Sequence, residues 1–487
     1  MSKKLGFNPY MASWEYVPDA EPHIVGDRLY VYGSHDVFNG INFCLGDYVC
    51  WSAPLNDLGN WKYEGEIFKR EQDPAAPWFR ITNGLAAPDM VKGPDGRYYL
   101  YYFMGGTKMI SVAVSDTPAG KYEFYGYVKY KDGTPIGKRK EPFQFDPGCL
   151  MDEDGRLYMY TGFAFGGNPI LLDGSKPTTE GPMWFELDPK DMLTVISGDE
   201  LHYLDVLTGE KAKGTPYEKQ PFGEASSMRK FNGKYYFIYS SLNSHNLCYA
   251  VSDSPTSGFS FGGVLVSCGD VGLPGVEDTN HAHNFTGNTH GSLIELNGNY
   301  YIFYHRHSNR KQSSRQACAD RIEFKDGRFL QAEMTSCGLN DGPLPGKGTY
   351  PSYIACNLWG KKGTKFYSML PLSKNGYPYY TQDGKDREGG TKGPDQYIAN
   401  MGDGAVAGFK YFDLTGTKKL SVSIKGKATG TIEVLKEEKG EPVAKIEVKP
   451  CKTPTEFSTS INLEGKNALY FRYKGKGAFS FYSLTLE

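Results

Sequence analysis

The sequence predicts an all-β protein, a five-bladed β-propeller followed by an antiparallel β-sandwich. Three observations lead to this prediction. The chain has 487 residues, more than one ordinary domain holds. It is rich in turn-forming and strand-forming residues, with 59 Gly, 29 Pro, 36 Tyr and 28 Phe. A short turn followed by an aromatic strand occurs five times, which is typical of radially repeated sheets.

The repeated unit has the pattern of a β-hairpin. Four of the five copies contain Asp-Gly or Asn-Gly, and these dipeptides accept the positive φ of a tight hairpin turn. The copies lie at 26–34, 95–103, 154–162, 232–240 and 297–305. Successive turns are separated by 69, 59, 78 and 65 residues, which is room for one four-stranded blade each. We therefore expect five blades that close into a ring over residues 1–335.

The repeat stops near residue 335. A Gly- and Pro-rich stretch over 336–354 is predicted to be a linker. Short alternating segments such as 420–426 and 430–437 follow, and they predict a separate antiparallel β-sandwich over 355–487.

Charge and cysteine content restrict the partners and the location. The formal net charge is −2, without the excess of basic residues that nucleic acid or an anionic membrane would require. The N-terminal residues contain no apolar signal segment, and no stretch is apolar enough to span a membrane. The nine cysteines are odd in number and irregularly spaced. These observations predict a cytoplasmic protein with reduced thiols, and they leave the oligomeric state open.

Five ionisable residues occur at similar positions relative to the repeated turns. The strand that enters each hairpin is the innermost strand of a propeller blade, so its first residues reach the mouth of the central channel. Counting back seven to nine residues from the five turns gives Asp19, Asp89, Asp146, Glu224 and His290. Asp146 also fits a residue that only starts a turn, and His290 fits either a structural histidine or the ligand of one central ion. Converging ionisable groups predict an active site at the channel mouth.

Carboxylates in this arrangement indicate glycoside hydrolysis. Cleavage of a glycosidic bond needs one ionised carboxylate and one protonated carboxyl group. A third carboxylate near the acid would keep the pKa of that acid high, because like charges oppose a second ionisation. Three carboxylates, Asp19, Asp89 and Glu224, are therefore predicted to be catalytic.

The repeats also resemble a known family. Residues 14 to 325 resemble glycoside hydrolase family 43 in the stretches 18–36, 85–103, 145–162, 222–241 and 290–308. This resemblance implies a five-bladed propeller of inverting enzymes that act on arabinose- and xylose-containing polysaccharides. It implies Asp19 as the general base, Asp89 as the carboxylate that orients the acid and raises its pKa, and Glu224 as the general acid. Glu21 is a rival for the base, because the run here is Asp-Ala-Glu-Pro instead of Asp-Pro.

The same resemblance assigns residues around the sugar. It implies Arg315 as a donor to sugar hydroxyls, and His35, Phe38 and Trp78 as walls of the sugar subsite. No cofactor is expected for the chemistry, but a structural cation, calcium or sodium, is expected on the channel axis near His290. The tail resembles a family 6 carbohydrate-binding module. Because Trp359 is the only tryptophan after residue 184, we expect this tail to pack against the propeller more than to bind sugar.

The sequence therefore predicts an exo-acting, inverting α-L-arabinofuranosidase or β-xylosidase that acts on small oligosaccharides from xylan or arabinoxylan. One alternative is a retaining, fructan-active propeller hydrolase, although the Glu-Cys and Asn-Asp-Pro-Asn signatures of such enzymes are absent. The other is a noncatalytic sugar-binding propeller. Retention of all three carboxylates argues against it.

Overall fold

Five antiparallel sheets follow one another along the first 330 residues. The computed structural model describes residues 4–76, 84–166, 174–384 and 395–487. Each sheet is built in chain order from its innermost strand outward. The first sheet contains β1–β4: Glu21–Val25, Arg28–Tyr32, Tyr48–Pro54 and Lys62–Phe68. The second contains β5–β8: Leu85–Lys92, Tyr98–Met104, Ile110–Ser115 and Glu123–Tyr127. The third contains β9–β12: Gly148–Met151, Leu157–Thr161, Met183–Leu187 and His202–Tyr203.

The last two propeller sheets complete the ring. The fourth contains β13–β16: Phe222–Phe231, Lys234–Ser241, Leu247–Ser252 and Ser260–Val266. The fifth contains β17–β19: Leu293–Leu296, Asn299–His307 and Arg315–Ile322. A two-stranded hairpin follows, β20 and β21: Phe324–Lys325 and Arg328–Phe329. The innermost strands contact one another, with β1 beside β5 and β17, and β9 beside β5 and β13. The protein is all-β and begins with a five-bladed propeller, as the repeats predict.

The N-terminal segment supports the three-stranded fifth blade. The Tyr10 N–H donates to the Ala317 carbonyl at 3.3 Å, so this segment lies along the open edge of β19. The Asn8 side chain bonds both backbone groups of Ala319, donating from Nδ2 at 3.0 Å and accepting at Oδ1 at 2.9 Å. Pairing the first residues with the last blade covers a sheet edge that would otherwise be exposed.

Only three of the five hairpin turns are two-residue turns. Asn232-Gly233 and Asn297-Gly298 have positive φ at both positions, and Gly26-Asp27 also joins its strands directly. The turns of the second and third blades are five-residue loops, 93–97 and 152–156. These longer loops change the number of residues that separate the turn from the start of the innermost strand.

The C-terminal region contains two packed sheets. One orders its strands β22-β27-β32-β29-β30, with β24 also paired to β27, and the other orders them β25-β26-β33-β28-β31, with β23 paired to β33. The strands β22–β27 are Leu344–Pro345, Gly348–Pro351, Asn357–Trp359, Tyr379–Thr381, Tyr397–Met401 and Val406–Asp413. The strands β28–β33 are Lys419–Gly426, Thr429–Leu435, Ala444–Val448, Cys451–Ser460, Lys466–Lys476 and Phe479–Leu486. Side chains from both sheets, including Phe409 and Phe481, form one buried core.

The stretch predicted as a linker, 336–354, carries β22 and β23. Both pair with strands of the C-terminal sheets, Leu344 with Phe412 and Gly348 with Leu486. Gly and Pro in this stretch therefore lie within and next to two short edge strands. The C-terminal β-structure begins at residue 344, before the predicted boundary at 355.

Polar contacts join the two regions. Lys410 of β27 is buried, and its Nζ lies 2.9 Å from Oδ2 of Asp270, a residue of the segment that connects β16 to β17. Arg306 of β18 donates to the Ala355 carbonyl at 2.9 Å, and its guanidinium lies 3.9 Å from the centre of the Tyr380 ring.

Within the described residues, the helices are four short 3-10 turns: Arg70–Gln72, Gly209–Ala212, Thr279–His281 and Ser352–Ile354. None of them is long and apolar enough to cross a membrane.

Candidate active site

A cavity of about 240 Å³ lies where the innermost strands begin. Asp19 and Asp146 come two residues before β1 and β9, Glu224 is the third residue of β13, and His290 comes three residues before β17. These four residues and Arg315 line the cavity. The structure thus brings together four of the five ionisable residues that the repeat predicts at the channel mouth.

Asp19 is held by two side-chain donors and one acceptor. Ser34 Oγ donates to its Oδ2 at 2.6 Å, and Arg315 Nη1 lies 2.8 and 3.1 Å from its two carboxylate oxygens. The His305 ring accepts the Asp19 backbone N–H at Nδ1 and donates from Nε2 to the Asn288 carbonyl. Both donors hold the Asp19 carboxylate in place at the cavity, where it can act as a base.

Arg315 contacts two carboxylates at the cavity. Besides Asp19, its Nε and Nη2 donate to the two oxygens of Asp36 at 2.8 and 2.9 Å, and Nη2 also lies 3.3 Å from Cys44 Sγ. Arg315 therefore fixes Asp19 and Asp36, and it also lines the cavity. Its role as a donor to sugar hydroxyls stays a prediction.

Glu224 and Asp146 form a buried acidic pair. Burial raises the pKa of Glu224 well above its usual range, and the negative charge of Asp146 raises it further. Burial also raises the pKa of Asp146, although the charge of His290 opposes this rise. Asp146 Oδ2 accepts the N–H of Ala225, the residue after Glu224, at 3.2 Å. Glu224 therefore keeps its proton at neutral pH and can act as an acid.

Asp89 lies outside this cavity, which corrects its predicted position beside Glu224. It is buried in the middle of β5, where it pairs with Tyr101. His23 Nε2 lies 2.7 Å from its Oδ1, and the Cys149 N–H donates to its Oδ2 at 2.8 Å. Although burial opposes ionisation, the bond and charge of His23 hold the pKa of Asp89 below its usual value. Asp89 is an ionised, fully paired structural carboxylate.

The five-residue loop of the second blade explains this misplacement. Asp89 is seven residues before Gly96, whereas Asp146 is nine residues before Gly155, and nine residues before Gly96 is Ala87. Ala87 and Asp146 share a positive φ, 38° and 48°, and each is followed by proline. Aligning Ala87-Pro88 with Asp146-Pro147 would have identified Asp146 as the third carboxylate from the sequence.

Two other predicted residues, His35 and Phe38, do not line the cavity. His35 is held by Glu15 Oε1 and the Asp47 carbonyl, both at 2.9 Å. Phe38 is buried against Tyr16, with ring centres 5.7 Å apart. Trp78 lies outside the described residues. The aromatic walls of the cavity, which the sequence reasoning missed, are Phe43, Phe103, Phe145, Phe163 and Phe165. Phe145 directly precedes Asp146, so the alignment of Ala87-Pro88 with Asp146-Pro147 could have predicted the position of Phe145.

The rival base Glu21 does not line the cavity, and it lies beside His290, where the cation is predicted. Glu21 Oε2 pairs with Arg229 and accepts a bond from Ser227 Oγ at 3.1 Å. His290 lies between Glu21 Oε1 at 3.7 Å and Asp146 Oδ2 at 3.6 Å. Burial disfavours charge on His290, but these carboxylates raise its pKa to about 9.

The cation expected near His290 stays a prediction. His290 Nε2 and Glu21 Oε1 are buried and have no hydrogen-bond partner among the described residues, as expected of groups that face a bound water or ion. Among the described residues, Glu21, His23 and Asp89 place ligand atoms within 4.8 Å of one another. Arg229 already supplies the positive charge there, since it contacts Glu21 and lies 4.0 Å from Asp89. The arginine and the imidazolium balance the axial carboxylates.

Comparison with known proteins agrees with this geometry. The sequence profile of glycosyl hydrolases family 43 matches residues 15–173. A xylosidase/arabinosidase of Thermoclostridium stercorarium is 48% identical over 488 residues, covering 99% of both chains. The structure of a family 43 β-xylosidase/α-arabinofuranosidase from a compost metagenome, in complex with xylotriose, is 26% identical, with a TM-score of 0.51, over 66% of this chain and 96% of that one.

A further structure covers both regions. The family 43 arabinoxylan arabinofuranohydrolase of Bacillus subtilis matches 98% of this chain and 97% of that one, at 18% identity and a TM-score of 0.50, which is a likeness of fold. A propeller whose channel mouth holds an acidic pair and a guanidinium-bound carboxylate defines a glycoside hydrolase, a class whose chemistry needs no cofactor. The chain belongs to glycosyl hydrolase family 43.

Proposed function

We propose that the protein is an exo-acting, inverting glycoside hydrolase that releases xylose or arabinofuranose from xylan- or arabinoxylan-derived oligosaccharides. The observation that carries this proposal is the cavity in which Asp19, Asp146 and Glu224 meet. A space of about 240 Å³ suits one terminal sugar better than the middle of a polysaccharide. The relative at 48% identity is a xylosidase/arabinosidase, which supports the choice of pentose.

The three carboxylates have distinct roles in the proposed reaction. Asp19 accepts a proton from water while the water oxygen bonds to the anomeric carbon. The bond from that carbon to the leaving oxygen breaks, and Glu224 gives its proton to the leaving oxygen. Asp146 keeps Glu224 protonated through its negative charge and holds the neighbouring Ala225 N–H. Asp146 thus takes the role that the sequence assigned to Asp89.

Substrate choice is tested with a panel of 4-nitrophenyl glycosides. The purified protein should cleave the β-xyloside, the α-L-arabinofuranoside or both, and should leave fructoside-type and galactoside substrates intact. Isothermal calorimetry that shows sugar binding without turnover would support a noncatalytic propeller instead. Preferred cleavage of a fructoside would support the fructan-active alternative.

The stereochemical course is tested by proton NMR during hydrolysis. We expect the first released sugar to have the anomeric configuration opposite to that of the substrate, before mutarotation. A first anomer of retained configuration, or a glycosylated peptide containing Asp19, would overturn the proposed inversion.

The acid is tested with Glu224→Gln. This variant should lose about 10²-fold or more in kcat/KM on xylo- or arabino-oligosaccharides, because their leaving groups need protonation. It should lose much less on an aryl glycoside whose leaving group is already good. Equal losses on both substrates would remove Glu224 from the acid role.

The cytoplasmic location is also a proposal. All nine cysteines are free thiols and seven of them are buried, an arrangement that suits a reducing compartment. Fractionation of the producing cells with an antibody to the protein would test it.

A further inference from the structure

A segment of the C-terminal region lies against the propeller at the cavity. Phe366 forms a parallel bridge with Thr286, and the Tyr367 N–H donates to the Thr286 carbonyl at 2.8 Å. Gln312, which lines the cavity, donates its N–H to the Ser368 carbonyl at 3.0 Å and its side-chain amide to the Tyr367 carbonyl at 2.6 Å. Backbone hydrogen bonds on both sides therefore fix residues 366–368 beside the active site.

Phe366 is unusually exposed for a ring in such a fixed segment. Its exposed fraction is 49%, and its ring centre lies 5.8 Å from that of His245 at an interplanar angle of 33°. Single exposed apolar side chains are common and need no explanation. Leu370, four residues further on, is such a case, with an exposed fraction of 78%. Phe366 differs because its ring adjoins a residue that lines the cavity.

His245 connects Phe366 to the acid. Its ring is nearly parallel to that of Phe165, at 6° and 4.6 Å between centres, and both rings line the cavity. His245 Nδ1 lies 3.8 Å from Glu224 Oε1 and has no hydrogen-bond partner among the described residues. Burial lowers the pKa of His245 to about 4, so the ring is neutral and does not protonate in competition with Glu224. A buried, unpartnered nitrogen beside the acid is available to a bound ligand.

The position of Glu224 indicates which part of the substrate the rings of His245 and Phe366 contact. In the proposed function, Glu224 donates its proton to the leaving oxygen, so residues beyond Glu224 adjoin the leaving group. We propose that His245 and Phe366 bind the sugar unit on the leaving side of the scissile bond, the apolar face of that sugar stacking on Phe366. The C-terminal region thereby contributes directly to recognition of oligosaccharides. This inference rests on the proposed function for the direction of the substrate.

The test compares two substrates that differ only beyond the scissile bond. They are an oligosaccharide of the preferred pentose, for example xylotriose, and the methyl glycoside of the same sugar, which has no second ring. Phe366→Ala should lower kcat/KM for the oligosaccharide by about five- to tenfold and leave the methyl glycoside within about twofold, by analogy with the energies of aromatic stacking. Phe366→Tyr keeps an aromatic face and should retain the oligosaccharide activity.

Leu370→Ala is the matched control, because it removes an exposed apolar side chain from the same segment without touching His245. It should change neither substrate. Thermal unfolding of all three variants should match the parent protein, since both side chains are exposed. An equal effect of Phe366→Ala on the two substrates, or no effect on either, would overturn the inference.

A binding measurement separates this inference from the proposed function. Calorimetric titration of xylotriose and of the analogous arabino-oligosaccharide into the Glu224→Gln protein, with and without Phe366→Ala, requires no turnover. Weaker binding of one oligosaccharide by about five- to tenfold in the double variant would support the inference even if the parent enzyme preferred another glycone. Unchanged binding of both would overturn it.

Discussion

Two acidic clusters lie at different depths of the same propeller channel, and they are chemically opposite. The cavity cluster comprises Asp19, Asp146 and Glu224, and the axial cluster comprises Glu21 and Asp89 with His23 and Arg229. In the cavity cluster, burial and like charge raise the pKa of Glu224 and Asp146. In the axial cluster, Asp89 has its pKa lowered by His23, and Glu21 pairs with Arg229.

The difference shows how one residue type serves catalysis or structure. A carboxylate whose charge is balanced by a neighbouring cation and by N–H donors gains stability from its ionised state. A carboxyl group buried beside another acid is destabilised when ionised, and it keeps a proton that it can give to a substrate. The axial cluster therefore joins blades one, two and four, while in the proposed function the cavity cluster carries the reaction.

The largest expected effect distinguishes the bases of the two clusters. Asp19→Asn should lower kcat by about 10³-fold or more on both aryl and natural glycosides, because water activation is needed whichever group leaves. Glu21→Gln should keep much of the activity per folded molecule and instead lower stability, because it leaves Arg229 without its carboxylate. Steady-state kinetics and thermal unfolding of both variants measure this. A dead Glu21→Gln enzyme with an active Asp19→Asn enzyme would reverse the assignment.

A smaller effect concerns stability. Asp89→Asn should lower the free energy of unfolding by about 3 kcal/mol at neutral pH, because it removes the buried carboxylate that Arg229, His23 and the Cys149 N–H contact. The folded pKa of Asp89 is below its usual 3.8, so its contribution is complete above the unfolded pKa and is lost as pH falls through the folded pKa. The difference between variant and parent in urea unfolding should therefore shrink in acid. A constant difference at all pH values would mean that charge is not the cause.

The smallest expected effect is a shift in the pH profile. Asp146→Asn removes a negative charge beside Glu224, so the pKa of Glu224 falls and the acid ionises at a lower pH. The alkaline limb of kcat/KM on an unactivated oligosaccharide should move down by about one pH unit. Asp89→Asn is the matched control and should leave that limb in place. A shift with Asp89→Asn alone would restore the assignment that the sequence favoured.

The C-terminal region contacts the propeller at two places. Its buried Lys410–Asp270 pair fixes it against the fourth and fifth blades, while its segment around Phe366 reaches the cavity. Packing against the propeller is therefore observed. The resemblance of this region to a family 6 carbohydrate-binding module stays a prediction.

The sequence by itself determined the architecture and most of the site. Five hairpin signals fix the number of blades, because turn chemistry and strand alternation are local properties of neighbouring residues. The same repeat places Asp19, Asp146, Glu224 and His290 at the channel mouth, and the Ala87-Pro88 and Asp146-Pro147 pairs contain the correct register. The resemblance to family 43 then predicts the chemistry of Asp19 and Glu224.

Only the tertiary structure decided which partner each carboxylate meets. A five-residue loop and a bulge in β5 move Asp89 into the axial cluster, and blade-to-blade contacts bring His23 and Cys149 to it. Arg315 reaches Asp19 and Asp36 from nearly 300 residues away in sequence, and Phe366 reaches His245 from another folded region. Charge state depends on burial and on such distant neighbours, because electrostatic interactions and desolvation act through space, not along the chain.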